Sequence, residues 1–467
     1  MNISEFTKWS NRATAWGQTY LDTLRTRPVR ARTKPGEIAA QLPAHAPDAP
    51  EPMDAIFADF ERIVPDGMTH WQHPRFFAYF SSNAAPASMV AEQLANTIAA
   101  QCMLWQTSPA ATEIEGVMIR WLRVALGLAP HFTGTIQDSA TSATLSAILT
   151  MRERSLDWRG IKSGIAGKKT PRIYASAQTH SSIDKACWVA GIGQDNLVKV
   201  PTDSDFAMDP KALHAAITAD RAAGFLPAGV VICVGGTSIG ASDNVAEIVA
   251  VAKAEGLYTH VDAAWAGSAM ICPEFRHIWQ GVDGADSIVF NPHKWLGAQF
   301  DCSVQFLADA SPQLRTLGLR PDYLKTLEQS DITNYNEWTI PLGRRFRALK
   351  LWFLMRAYGL DGLRGRIRNH VAWVGELAER FRANPDFVIT TEPRLALFTF
   401  QYTPEGGDAN TATEALLKRI NDDGRVYLTQ TMHQDRFVIR MTAGQFDCTK
   451  EDVMSVYDVA TELAATP

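Results

Sequence analysis

Three short apolar runs that each stop at a polar cluster constrain this chain more than any other feature. Val230-Val231-Ile232-Cys233-Val234 leads into Gly-Gly-Thr-Ser, Leu257-Tyr258-Thr259-His260-Val261 into Asp-Ala-Ala-Trp, and Ser287-Ile288-Val289-Phe290 into Asn-Pro-His-Lys. Nearly continuous apolar runs suit strands covered on both faces of a mostly parallel sheet. Helical stretches alternate with such runs from about residue 85 to 345, which is the grammar of an α/β fold. In open α/β sheets ligands bind beyond the carboxyl ends of the strands, where these polar residues fall.

The flanks read differently. Phe6, Trp9, Ala13, Trp16, Tyr20 and Leu24 recur at steps of three or four, the stripe of an amphipathic helix, and packing on a neighbouring subunit is the expected cover for it. A proline-rich stretch from Arg27 to Pro52 is expected to be an extended wrapping arm. After Gly343 a basic helical stretch and short runs such as Phe437-Val438-Ile439-Arg440-Met441 predict a smaller C-terminal α+β domain. The expected division is an N-terminal helical dimerisation segment (1–85), a large α/β domain (86–345) and the small domain (346–467), as befits 467 residues.

Composition removes several classes of function. A net charge of -5 leaves no basic excess to neutralise a nucleic-acid backbone. The six cysteines are scattered without a Cys-x-x-Cys pair or a histidine cluster at metal spacing, which argues against a disulfide scaffold and a zinc site and predicts a reducing cytoplasm. The N-terminus lacks the basic start and apolar stretch of a signal peptide, and no 18-residue apolar run follows, so no membrane association is expected.

The chemistry-bearing residues cluster after the strands. Lys294 directly follows an apolar run, where a lysine is poorly solvated, although by itself such a lysine is more often structural. Asp262 ends another run beside small Ala263, Ala264 and Gly267, which leave room for a flat ring; a helix cap is the competing explanation. Ser139-Ala140-Thr141-Ser142 crowns a helix start where a phosphate is welcome, and plain capping explains it almost as well. His180 follows a further run and is either a ring-stacking group or a core histidine. Taken together they supply what pyridoxal 5'-phosphate requires of a protein: a Schiff-base lysine, a carboxylate for the ring nitrogen, a phosphate cradle and a stacking partner.

At these residues the chain resembles the group II pyridoxal-phosphate decarboxylases, and within them the aromatic-L-amino-acid decarboxylases. The resemblance runs from near the N-terminus to about residue 445. It is carried by His73-Pro74 with Phe76-Phe77-Ala78-Tyr79-Phe80, Thr179-His180-Ser181-Ser182, His260-Val261-Asp262-Ala263-Ala264, Cys272-Pro273-Glu274-Phe275-Arg276-His277, Asn291-Pro292-His293-Lys294-Trp295 and Ile340-Pro341-Leu342-Gly343-Arg344-Arg345-Phe346-Arg347. It implies a fold-type-I architecture with a mostly parallel sheet of seven strands flanked by helices.

By position, the resemblance implies that Lys294 is the Schiff-base lysine, that Asp262 pairs with the pyridine nitrogen, and that His180 stacks on the ring with Ala264 beneath and Thr237 beside it. The implied phosphate cradle is Ser139, Ala140, Thr141, Asn291 and His293, with Leu342 and Gly343 from the second subunit of a homodimer. Trp71, Tyr79, Phe80 and Ser82 would border the substrate, with Gln101 and Met103 reaching across the interface. Tyr323, in Pro321-Asp322-Tyr323-Leu324-Lys325, is the implied proton donor to the substrate Cα. Relatives that release an aldehyde by an oxidative route carry phenylalanine for that tyrosine or asparagine for the histidine, so Tyr323 and His180 favour plain decarboxylation.

The implied substrates are tryptophan, 5-hydroxytryptophan, tyrosine, dopa or phenylalanine. Gly343 stands where plant members using indolic substrates carry glycine. An oxidative aldehyde synthase, a decarboxylase of a non-aromatic amino acid such as histidine, and a cofactor-free binding protein are the competing readings. The chain departs from the family pattern at Asn336, where arginine is common, in a slightly shorter stretch from Tyr323 to Trp338, at Asp138, where animal members have glycine, at Trp265, and at the pocket positions Gln101 and Met103.

Overall fold

The computed structural model describes residues 1–319 and 332–465. The apolar runs that open the argument become neighbouring strands of one seven-stranded sheet. Its members are β1 (Thr133–Gln137), β2 (Pro171–Ser176), β3 (Leu197–Val200), β4 (Leu226–Cys233), β5 (Tyr258–Asp262), β6 (Ser287–Phe290) and β7 (Ser303–Leu307), in the order β1-β7-β6-β5-β4-β2-β3. The pairs from β3 through β6 are parallel, while β7 runs antiparallel to both β6 and β1. Every residue of β6 and β7 is buried and all but the ends of β4 and β5 are too, as continuous apolar runs require.

The chain divides into two compact units. This sheet lies in the unit made of residues 82–375 and 391–398. The helix Ala140–Ser155 leaves the end of β1 and lies against β4, β5, β6 and β7, burying Ala143, Ala147, Ile148 and Met151.

The other unit joins residues 1–81 to 376–390 and 399–467. Asp452, buried at the start of the helix Lys450–Ala464, takes Arg25 at 3.0 Å and Arg75 at 3.0 Å, which ties the N-terminal segment to the C-terminal one. Strands β8 (Phe387–Arg394), β9 (Leu397–Tyr402), β10 (Thr429–His433) and β11 (Arg436–Thr442) form a sheet in the order β10-β11-β9-β8, and the β8–β9 tip groups with the first unit described.

Part of the N-terminal stripe packs against a second helix of its own chain. On the helix Phe6–Thr23, Trp9 stacks on Phe57 at 5.6 Å and Trp16 meets Phe60 edge-on at 4.7 Å, both on the helix Met53–Ile63. The Tyr20 hydroxyl bonds His70 Nδ1 at 2.8 Å, while Phe6 stays exposed. The proline-rich segment returns the chain over the distance needed to bring the two helices together. Among the described residues no helix is long and apolar enough to cross a membrane.

Candidate active site

Lys294 sits in a single π-helical turn, Pro292–Leu296, immediately after β6. Such turns are rare and tend to occur where a side chain must be re-aimed. This one is held from three sides. Asn83 donates its carboxamide to the Lys294 carbonyl at 2.5 Å and its N–H to the His293 carbonyl at 3.0 Å. The Asn291 amide donates to Ala264 O at 2.9 Å, and the buried indoles of Trp265 and Trp295 stack at 5.0 Å. The Trp295 N–H continues to His370 Nδ1 at 3.0 Å.

Those contacts join the lysine turn to the segment that carries Asp262. β5 pairs with β6 so that Asp262 lies opposite Val289, one residue before β6 ends. Asp262 accepts the Ala264 N–H at 3.0 Å and stays partly exposed, as does Ala264. Gly267 is required here, because a Cβ at that position would lie 2.4 Å from the Phe290 Cβ.

His180 completes the group. Its Nδ1 accepts the Ser182 amide at 3.1 Å, which leaves the ring proton on Nε2. Desolvation lowers its pKa, Asp262 opposes the shift and Lys294 adds to it, so all three side chains share one electrostatic environment. The turn after β4 closes beside them. A Cβ on Gly236 would lie 2.9 Å from Gln178 O and one on Gly235 2.5 Å from the Ala266 Cβ, and partly buried Thr237 follows.

The hydroxyl-rich helix start opens at the same edge. Gln137 at the end of β1 pairs with Ser303, and Phe290 at the end of β6 pairs with Val304. The chain therefore leaves β1 into Ser139-Ala140-Thr141 where it leaves β6 into Asn291 and His293. Ser139 caps the helix Ala140–Ser155 by accepting the Ser142 amide at 3.2 Å. Asn291 Oδ1 accepts the Ser303 hydroxyl at 2.6 Å. His293 is buried, its Nδ1 accepts the Cys302 amide at 2.9 Å, and burial with the Lys294 charge pushes its pKa down to about 3. It is a neutral imidazole with Nε2–H as its donor.

Gln101, Met103, Leu342 and Gly343 form a second cluster. Gln101 Oε1 accepts the Arg344 amide at 2.8 Å, and its Nε2 lies 3.0 Å from where a Gly343 Cβ would be. The Asn336 amide donates to Met103 O at 3.1 Å. Beneath them buried Arg344 pairs with buried Glu115 at 2.6 Å and donates to Ile136 O at 2.8 Å. Leu342 and Gly343 remain exposed on this rigid base. Ser82 begins the same unit, whereas Trp71, Tyr79 and Phe80 belong to the other, where Trp71 stacks on Tyr79 at 5.9 Å and Arg440 lies over Phe80 at 4.5 Å. Tyr323 lies outside the described residues.

An amine-bearing lysine, a carboxylate, a neutral imidazole and a hydroxyl-rich helix start thus meet at one sheet edge, a donor set that fits pyridoxal phosphate. Residues 35–403 match the pyridoxal-dependent decarboxylase conserved domain. The chain belongs to the pyridoxal-dependent decarboxylase family. The chain is 37% identical to the aromatic-L-amino-acid decarboxylase of Cavia porcellus, covering 100% of this chain and 98% of that protein. It is 36% identical to the phenylacetaldehyde synthase of Arabidopsis thaliana, covering 91% and 89%. A solved structure of Oryza sativa TDC with PLP and tryptamine superposes with a TM-score of 0.96 at 33% identity over 99% of this chain and 98% of that one. This decarboxylase is a carboxy-lyase, and its cofactor is pyridoxal 5'-phosphate.

Two supporting residues escape a reading of the sequence: Asn83 and Glu115 act through long-range contacts and leave no local signal, whereas their counterparts Trp295 and Arg344 stand inside segments that carry the resemblance, without a supporting role being legible there.

Proposed function

We propose that this decarboxylase removes the carboxyl group of an aromatic L-amino acid as carbon dioxide and releases the arylalkylamine. The observation that carries the reading is the meeting of Lys294, Asp262 and His180 at one sheet edge of a chain from this family. Lys294 would hold the cofactor through its amine, with Asp262 facing the ring nitrogen, His180 and Ala264 on the two ring faces and Thr237 at the ring edge. Ser139, Ala140, Thr141, Asn291 and His293 would take the phosphate. When bound, the cofactor supplies an electron sink for the pair left at Cα.

The chain's own residues prepare and finish that step. The Asp262 carboxylate, anchored by the Ala264 N–H, keeps a proton on the facing ring nitrogen. Neutral His180, with its proton on Nε2, offers a flat face and adds no charge that would oppose the one at the ring nitrogen. Tyr323 would return a proton to Cα, and the Lys294 amine would displace the product. Trp71 and Tyr79, which the family resemblance implies for the substrate, stack on each other and are 40% and 48% exposed.

A homodimer with shared sites is part of the reading. On the helix Pro86–Ile98, Val90, Leu94 and Ile98 form an exposed apolar line, and Ile340 and Leu342 are each 41% exposed. A second copy covering these faces would bring Leu342, Gly343, Gln101 and Met103 to the partner's site. All six cysteines are buried thiols, which supports a cytoplasmic location.

The test is a product assay with tryptophan, tyrosine, phenylalanine, dopa and histidine, scoring amine, carbon dioxide, aldehyde and peroxide beside Lys294→Ala. Amine with carbon dioxide, lost in the variant, is the expected result. Aldehyde with peroxide would move the chain to the oxidative reading, and turnover of histidine alone would remove the aromatic one.

A further inference from the structure

We propose that Asp138 competes with the phosphate of the cofactor for the start of the helix Ala140–Ser155 and thereby loosens the chain's hold on that cofactor; this rests on the phosphate assignment above. Asp138 lies between the last residue of β1 and the helix-capping Ser139. The Ser139 hydroxyl donates to Asp138 Oδ1 at 3.0 Å, accepts the Ser142 amide at 3.2 Å and lies 3.2 Å from the Ser142 hydroxyl. A serine hydroxyl has one proton to give, and an ionised carboxylate is a stronger acceptor than a neighbouring hydroxyl.

The positive end of this helix therefore already faces a fixed negative charge that occupies the Ser139 donor. A phosphate group arriving at Ala140 and Thr141 has to take the Ser139 proton from Asp138 and then sit beside a like charge. The N–H groups of the first turn, the Thr141 hydroxyl and the Nε2–H of His293 still favour it, so binding survives but is weaker than the same cradle would allow without the carboxylate. Arg347, held by Asp301 at 2.9 Å, is the nearby cation that limits the effect.

The test is equilibrium dialysis of the full chain against pyridoxal phosphate, made in the Lys294→Ala background so that covalent attachment does not mask the phosphate contacts. Asp138→Asn, which keeps the shape and removes the charge, should tighten binding about tenfold at low salt. The ratio of the two dissociation constants should fall toward one at about 1 M salt, because like-charge repulsion is screened. Asp138→Gly should move in the same direction, with thermal melting of each variant confirming that it folds.

Unchanged or weaker binding in both folded variants would overturn the proposal, as would a gain that salt does not reduce, which is the mark of a mere capping effect. Failure of the phosphate assignment has its own signature: inorganic phosphate would not compete with the cofactor, and Ser139→Ala would leave binding unchanged even beside Asp138→Asn. That outcome overturns both readings, whereas competition by phosphate together with unchanged binding in both Asp138 variants overturns this one alone.

Discussion

Lys294 owes its placement to groups that do no chemistry themselves. Asn83 fixes the lysine carbonyl and the one before it, so Asn83→Ala should cost about 1 kcal/mol of stability and release the turn. A larger loss of turnover than of cofactor binding is the expected outcome, and equal losses would show that the turn holds without it. Asp262 acts on the charge that develops during the reaction. Asp262→Asn should therefore lower kcat by about 100-fold or more while the chain folds and binds cofactor. Steady-state kinetics beside cofactor absorbance separates that result from a folding defect. Lys294 and Asp262 stand near the ends of runs that advertise them, but Asn83 reaches the turn from far along the chain and leaves no local trace.

At the scale of elements, β5 and β6 position the site by close approach. Gly267 faces Phe290 so tightly that Gly267→Ala should destabilise the sheet edge by about 1–3 kcal/mol, read by chemical denaturation. The Glu115–Arg344 pair is buried on both sides, so Glu115→Ala leaves an uncompensated charge and should cost about 3–5 kcal/mol, with Arg344→Met beside it recovering much of the loss. The strands were legible because burial on both faces demands unbroken apolar runs: Val230 to Cys233, Tyr258 to Val261 and Ser287 to Phe290 all lie in β4, β5 and β6. The meeting of Lys294 with Asp262 was legible through family resemblance, and parallel pairing explains it. The partners that part of the N-terminal stripe finds within its own chain were not, because a stripe states only that something must cover it. Trp9 and Trp16 meet Phe57 and Phe60, residues on a helix whose own stripe could as well have faced another subunit.

For the whole molecule, acid is the informative stress. His73 and His260 are held down to about 4 and His293 to about 3, in each case chiefly by burial. Folded, they stay neutral; unfolded, they take up protons below the ordinary histidine value, so stability falls as pH drops from about 6.5 toward 4. Each should contribute on the order of 1.4 kcal/mol per pH unit in that window. Asp243, raised to about 6 by burial, works in the opposite direction over part of it. Denaturant midpoints measured across the window should decline with acid, and His260→Gln should flatten the decline; a flat profile in the parent chain would refute the account. The antiparallel β7 carries a different consequence, one of timing. β1 sits at the edge of the sheet with β7 as its sole neighbour, and β7 comes last of the seven in the chain. While a ribosome is making this protein, β1 and the hydroxyl-rich turn behind it must wait, without any strand partner, until residues 303–307 emerge, so the phosphate end of the site is assembled after the lysine turn has been synthesised.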